Sequence, residues 1–336
     1  MSEEQVDRRI EGTPRVRVTR RLMPHVEQRM GELFDVALNR DDSPLDRDAL
    51  GAAMRECDVL VPTVTDRIDA DLIESAGEDL RLIANFGAGV EHIDLAAARK
   101  RGIMVTNTPG VFTDDTADLT MGLIIGVPRR MREGVELVRS GEWTGWAPCS
   151  MLGFGLRGKC LAIVGMGRIG QAVAHRARAF GLEIAYHNRK RLPEALENML
   201  GATYVDNLDD LMRCADILSL HAPGGEETHH LIDARRIGLM KPGSCLINTA
   251  RGDLVDQDAL IEALEDGRLG GAGLDVYPEE PKIDPRLLKV PNVLTLPHLA
   301  SATVEGREAS GEKVIANIRI WADGHRPPDQ VLEGWV

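Results

Sequence analysis

The sequence predicts an α/β fold of two domains, each built on a parallel sheet. Three observations predict it. Short β-branched runs alternate with longer helical patterns along most of the 336 residues, the pattern of βαβ units and parallel strands. A glycine turn, Gly165-Met166-Gly167-Arg168-Ile169-Gly170, directly follows the apolar run Leu161–Val164 and directly precedes the amphipathic stretch Gln171–Phe180. A long helical pattern and an irregular segment then divide the candidate strands into two sets, and the chain is long enough for two sizeable cores.

The first set comprises RVRVT from Arg15, DVLVP from Asp58, RLIANF from Arg81 and IMVTN from Ile103. A helical pattern follows from Thr116 to Arg139, preceded by Thr113-Asp114-Asp115, whose acids favour a helix N-terminus. The segment Gly141–Gly158, rich in glycine and carrying Trp143 and Trp146, reads as an irregular crossing. The second set starts at Cys160 and continues through EIAYH, DILSL, SCLIN, GAGLDV and NVLTL. No repeat of solenoid period and no low-complexity tract interrupts this order.

Composition narrows the function classes. A formal net charge of −13 argues against nucleic acid or an anionic membrane as a general partner. It does not weaken a local basic cluster, which can still hold a small anion. Five cysteines, an odd number without a CxxC pair, suit a reducing compartment and give neither a disulfide framework nor a zinc site. No apolar stretch reaches the length of a membrane span. The first residues, MSEEQVDRRIEGTP, lack the apolar core of a signal peptide and read as a loose tail, so a cytoplasmic location is expected. There is no GxSxG elbow, and His229-His230 lacks metal-ligand spacing and reads as a solvated turn before LIDARRIGLM.

The glycine turn carries the first chemical expectation. Gly165 permits a tight turn, Gly167 lets backbone approach a pyrophosphate, and Gly170 lets the helix pack on the strand, with Met166, Arg168 and Ile169 lying between them along the phosphates. The helix N-terminus adds free N–H groups and partial positive charge. Such turns are usually followed, about twenty residues on, by an acid that holds a ribose diol. Here the second strand ends instead in His187-Asn188-Arg189-Lys190-Arg191. Asn188 offers an amide donor, Arg189 a planar fork suited to phosphate, and Lys190 and Arg191 further positive potential. The expectation is NADP(H) in preference to NAD(H), with NAD(H) still accepted.

Further motifs appear in one order: NFGAGVEHID (from Asn85), TNTPGVFTDDTADL (from Thr106), NTARGDLVD (from Asn248), GAGLDVYPEEP (from Gly271) and LPHLASAT (from Leu296). With the glycine turn, these closely resemble the D-isomer-specific 2-hydroxyacid dehydrogenases, and within them the glyoxylate/hydroxypyruvate reductase branch. The resemblance is strong from about Arg81 to Thr303 and looser in the flanks. It implies two Rossmann-like or flavodoxin-like domains. A discontinuous substrate-binding domain (1–110 and 303–336) would carry an inserted NAD(P)-binding domain (111–302), with the active site in the cleft and hinge closure on binding. It also implies a homodimer joined through the cofactor domains, with residues 116–158 contributing.

The family's arginine, glutamate and histidine map onto Arg251, Glu280 and His298, and elementary chemistry supports each. A 2-oxo acid presents a carboxylate beside a carbonyl, and one guanidinium fork can hold both while polarising the carbonyl. Hydride addition makes an alkoxide that needs a proton, which a histidine can give. A carboxylate beside such a histidine favours its protonated form and fixes its orientation. Each of the three follows a candidate strand, where open α/β sheets bind ligands. The resemblance further assigns the substrate carboxylate to backbone N–H groups at Ala88 and Gly89. It assigns cofactor contacts to Thr116, Pro223, Thr249 and Ala250, and the nicotinamide amide to Asp275. Trp146 matches an aromatic that reaches the partner subunit's active site in glyoxylate-reductase relatives.

Departures mark the choice among relatives. Ala88 stands where phosphite dehydrogenases of this fold carry lysine, and Glu280 where formate dehydrogenases carry glutamine. Ala300 replaces the glycine usual after the catalytic histidine's neighbour, and Ala88 the usual valine; the first crowds the nicotinamide, the second widens the acid pocket. The expected activity is NADPH-preferring reduction of glyoxylate or hydroxypyruvate to glycolate or D-glycerate. The alternatives are another 2-oxo acid or, more remotely, a nucleotide-sensing corepressor that retains the same three residues.

Overall fold

In the computed structural model, which describes residues 12–332, the chain divides into two compact units. The expected N-terminal tail lies outside the described residues up to residue 11. One unit takes the chain up to Phe112 and from Thr303 onward; the other is Thr113–Ala302. The fold class is the one the sequence predicts, two parallel α/β sheets, with one unit split by the other.

The split unit has five parallel strands: β1 (Arg15–Val18), β2 (Asp35–Ala37), β3 (Val59–Val61), β4 (Leu82–Ala84) and β5 (Met104–Thr106). Their order is β2-β1-β3-β4-β5, the flavodoxin-like arrangement. β3 and β4 are buried at every position, as strands with helices on both faces must be. The helix Val304–Ala322 returns to this unit and places Val314, Ile315 and Ile318 in the same core as Val16, Val59 and Leu82.

The continuous unit has seven parallel strands: β6 (Cys160–Val164), β7 (Glu183–His187), β8 (Ala202–Tyr204), β9 (Ile217–Leu220), β10 (Ser244–Asn248), β11 (Leu269–Leu274) and β12 (Val293–Thr295). The order β12-β11-β10-β9-β6-β7-β8 reverses direction between β6 and β9, which creates the switch point where this class of sheet binds ligands. Because every strand is parallel, the segments after β6, β7, β9, β10, β11 and β12 all leave from one edge. The glycine turn, the basic loop and all three expected catalytic residues lie on those segments.

The structure corrects two expectations about elements. The pattern from Thr116 to Arg139 is two helices, Thr113–Gly126 and Met131–Arg139. Pro128 has no N–H to continue the first, and Arg130 turns left-handed at φ 52° before the second starts. Strands β2 and β8 have no counterpart among the predicted runs. Each is three residues long at a sheet edge, too short for alternation to show. The helix Met131–Arg139 has no buried residue, and Arg132 fixes it by donating to the carbonyls of Leu288, Val290 and Val293. The crossing Gly141–Gly158 is irregular, as expected. Among the described residues no helix is long and apolar enough to cross a membrane.

Candidate active site

At the glycine turn the three glycines meet three different demands. Gly165 has φ 95°, and a Cβ there would sit 2.6 Å from the backbone of His221 and Ala222. A Cβ on Gly170 would come within 2.3 Å of the Gly165 carbonyl oxygen, so only glycine lets the helix start this close to β6. No protein atom lies within 4 Å of a Cβ on Gly167, which leaves backbone open to an approaching group. Gly167 caps the helix Arg168–Ala179 without a side-chain bond, whereas Asn207, Asp233 and Asp256 cap neighbouring helices with theirs. The first N–H groups of this helix are therefore free for an anion. Met166 points into the core, so only its backbone can face a ligand, while Arg168 is exposed.

The basic loop separates into two different arginines. Arg189 is 82% exposed and, among the described residues, pairs with Glu227, equally exposed, at 3.1 Å. Arg191 instead forks onto Glu197 at 3.0 and 2.8 Å, and Glu197 also accepts 2.6 Å from the Tyr186 hydroxyl. The guanidinium of Arg191, expected to add positive potential, is paired with an almost fully buried carboxylate. The Asn188 amide turns back to the Lys190 carbonyl at 3.0 Å, shaping the loop.

The residues expected to be catalytic gather on the loops after β10, β11 and β12. His298 Nδ1 lies 2.8 Å from Glu280 Oε2, and Glu280 Oε1 accepts the Tyr277 N–H at 2.9 Å. Burial pushes the Glu280 carboxyl up, but the His298 hydrogen bond, the Tyr277 N–H and the charges of His298 and Arg251 outweigh it, so Glu280 is held below its ordinary 4.5. Arg251 follows β10, and Asn248 braces its loop by donating to the Arg251 carbonyl at 2.8 Å and accepting from the Ala250 N–H at 3.0 Å. A Cβ on Gly252 would lie 2.0 Å from the Tyr277 carbonyl carbon, so this glycine lets the arginine loop touch the loop that leads to Glu280.

Asp275 has a structural duty. It is fully buried, and its two oxygens accept the N–H groups of Leu299 and Ala300 at 2.7 and 2.8 Å, while its carbonyl takes the His298 N–H at 2.9 Å. This clamp holds His298 in the left-handed region at φ 56°, a conformation non-glycine residues rarely adopt. The threonines expected along the cofactor are also internally bonded. Thr249 Oγ1 lies 2.8 Å from Thr120 Oγ1, and Thr116 Oγ1 donates to the Ala300 carbonyl at 3.4 Å. Pro223 is exposed, its carbonyl accepting from Thr228 Oγ1 at 2.8 Å.

In the split unit, the loop after β4 carries Ala88 and Gly89. The buried Asn85 amide donates to the carbonyls of Gly87 and Gly89 at 3.0 and 2.8 Å, and Asn107 donates to the Ala88 carbonyl at 2.6 Å. With three successive carbonyls tied back, the loop's N–H groups are the atoms left to present. Trp146 is 81% exposed on the crossing segment.

The family model of the D-isomer-specific 2-hydroxyacid dehydrogenase NAD-binding domain matches residues 121–300. A glyoxylate reductase from Thermococcus litoralis is 46% identical over 322 residues, 95% of this chain and 96% of the relative. The chain belongs to the D-isomer-specific 2-hydroxyacid dehydrogenases. Two solved relatives carry the likeness into three dimensions. A glyoxylate reductase from Paecilomyes thermophila superposes with a TM-score of 0.86 at 32% identity, covering 96% of this chain and 99% of the other. An NADPH-dependent glyoxylate/hydroxypyruvate reductase from Sinorhizobium meliloti, in complex with NADP and malonate, does so with a TM-score of 0.84 at 34% identity, covering 96% and 98%.

As a member of this family, the protein is an oxidoreductase acting on CH–OH donors with a nicotinamide cofactor. Glu227, opposite Arg189, carries no motif signal of its own. Asn85, Asn107, Asn248 and Gly252 lie inside the motifs read from the sequence, but the contacts by which they brace the site depend on which loops meet.

Proposed function

We propose that this dehydrogenase reduces a small 2-oxo acid, glyoxylate or hydroxypyruvate, to the 2-hydroxy acid, with NADPH preferred over NADH. The observation that carries the reading is the Glu280–His298 pair at 2.8 Å, oriented by the Asp275 clamp and near enough to Arg251 for its charge to act on Glu280. The relatives named glyoxylate reductase support the substrate class, and the exposed Arg189 in place of an acid supports the cofactor preference.

The residues present fit a dinucleotide: a turn open at Gly167, an uncapped helix N-terminus and no carboxylate at the end of β7. The nicotinamide supplies the hydride when bound there. Arg251 anchors the substrate carboxylate and polarises the carbonyl. In the split unit, the loop carrying Ala88 and Gly89 offers backbone N–H groups suited to a carboxylate. His298 keeps Nδ1–H directed at Glu280, which leaves Nε2–H to protonate the forming alkoxide. Glu280, held ionised, keeps that orientation before and after the proton leaves. In this reading residues 113–302 form the cofactor domain and the split unit the substrate domain.

A second copy of the chain completes the proposal. Met131, Val135, Val138, Trp143, Trp146 and Leu152, all between residues 131 and 152, each expose a large apolar side chain. We assign this segment to a homodimer contact, with Trp146 directed to the partner's substrate site.

A kinetic panel crossing NADH and NADPH with glyoxylate, hydroxypyruvate and pyruvate tests the reading. The expected result is the highest kcat/KM with NADPH and either glyoxylate or hydroxypyruvate. Absence of NADPH oxidation with every 2-oxo acid would sink it, and a clear pyruvate optimum would reassign the substrate.

A further inference from the structure

The five cysteines are far apart in sequence, yet the fold brings two of them together. Cys160 opens β6, and Cys214 closes the helix Leu208–Cys214; their Sγ atoms are 3.5 Å apart, and both are partly exposed. The pairing follows from topology. β6 lies beside β9 in parallel, and the helix ends just before β9 begins, so its last residue arrives at the start of β6. Asp216 locks this corner: its N–H donates to the Cys160 carbonyl at 3.1 Å, and its Oδ2 accepts the Cys160 N–H at 2.9 Å.

The corner is at the amino edge of the sheet. The glycine turn lies at the other end of β6, about 13 Å away at roughly 3.3 Å per residue, so the pair takes no part in cofactor binding. The surroundings favour a thiolate at Cys214. The Cys160 S–H donates to it, and although burial opposes, that bond and the ammonium of Lys241 bring Cys214 down to about 7. Lys241 itself stands 2.9 Å from Asp216, and Lys159 stands 3.9 Å from the same carboxylate. As a thiol, Cys214 also donates to the Leu211 carbonyl at 3.1 Å. The other cysteines provide internal contrast: Cys57 and Cys245 are buried and pushed up to about 12, and Cys149 is exposed on the crossing segment.

We propose that Cys160 and Cys214 are a redox-reversible pair that closes to an intramolecular disulfide when the protein meets a hydroperoxide. The Cys214 thiolate attacks one peroxide oxygen, the O–O bond breaks, and the departing hydroxide is protonated to water. The resulting sulfenic acid on Cys214 is attacked by the Cys160 sulfur. The S–S bond forms, the S–O bond breaks, and the Cys160 proton leaves with the hydroxyl as a second water. Two thiols lose two electrons in all, and hydrogen peroxide gains them. The sulfur atoms close from their present separation to about 2.05 Å, and a dithiol reductant reverses the step by exchange. The disulfide clips the start of the strand that carries the glycine turn to the helix beside it.

The experiment oxidises the folded full-length chain with hydrogen peroxide, blocks remaining thiols by alkylation and maps disulfides after non-reducing digestion. A Cys149→Ser background removes the exposed thiol as a competitor. The expected product is a Cys160–Cys214 linked peptide pair, lost again with dithiothreitol, formed at least about tenfold faster than any modification of Cys57 or Cys245. In Cys160→Ser, Cys214 is expected to stop at the sulfenic acid, trapped by dimedone. The proposal is overturned if no such linked pair forms in the folded protein, or if Cys57 and Cys245 are modified as fast. Mapping needs only the Cys149→Ser protein, so it decides the matter even if Cys160→Ser fails to fold.

Discussion

The loops that hold Arg251, Glu280 and His298 and the basic loop after β7 leave the same edge of one sheet, but they are built on opposite terms. His298 is fixed from two sides, by Glu280 on its ring and by the Asp275 carbonyl on its N–H. Its left-handed backbone costs about 1–2 kcal/mol, which the bonds from Leu299 and Ala300 to the buried Asp275 carboxylate offset. Arg189 pairs with Glu227, and both ends of that pair are four-fifths exposed, so the contact contributes little and is easily exchanged. Proton transfer needs atoms held to a fraction of an ångström, whereas recognition of a phosphate needs charge within reach of a mobile side chain. On the proposed function, the difference teaches that the proton-transfer pair is held rigidly while the side chain proposed to select the cofactor is left adjustable.

The largest effect is expected at the rigid end. His298→Asn removes the proposed proton donor and leaves the Asp275 clamp on the backbone intact. Its kcat for 2-oxo acid reduction should fall by about 10²–10⁴, with NADPH affinity, read by cofactor fluorescence, changed less than about twofold. An equal loss of affinity would show that the histidine loop belongs to the cofactor site, and the contrast between the two regions would fail.

Glu280→Gln is the intermediate case. Glutamine can still accept from His298 Nδ1 but carries no charge, so a fall in kcat of about tenfold is expected at neutral pH, smaller than for His298→Asn. The pH profile adds a signed test. The Glu280 carboxyl is held below 4.5, so its contribution to stability is fully present above that value and is lost as pH falls through the lower, folded-state value. The acid side of the wild-type rate and stability profiles should therefore hold down to pH 4.5, and the part due to Glu280 should vanish in the glutamine variant. A wild-type loss centred above pH 4.5 that the variant shares would assign it to another group.

Much of this was readable before the structure because some residue types admit few roles. Glycines at 165, 167 and 170 behind an apolar run, and an arginine, a glutamate and a histidine each placed after a strand, announce their edge of the sheet. What stayed hidden depends on long-range register. Asp275 lies in the motif that starts at Gly271, but its hold on residues 299 and 300 requires β11 and β12 to be neighbours. Arg189 and Arg191 look equivalent in sequence, and only the fold shows that Glu197 faces one and Glu227 the other. The approach of Cys160 to Cys214 spans 54 positions and has no local pattern. The break after Gly126 was available in Pro128, which the strong helical pattern on either side masked.

The two arginines supply the smallest effects and the sharpest form of the contrast. Arg189→Ala removes the exposed guanidinium and should raise the KM for NADPH about tenfold, the order of one charge-assisted hydrogen bond, while the KM for NADH stays within about twofold. Arg191→Ala removes the partner of Glu197, leaving a nearly buried carboxylate with only the Tyr186 hydroxyl. It should lower the unfolding midpoint by about 2 °C and leave the ratio of the two KM values unchanged. Both are read from the same preparations by steady-state kinetics and thermal unfolding. If Arg191→Ala shifts the cofactor ratio as far as Arg189→Ala does, Glu197 does not neutralise it and the whole basic run acts as one phosphate-binding field. If Arg189→Ala weakens NADPH and NADH equally, the arginine that replaces the customary acid is surface charge, and selectivity must come from the backbone of the turn.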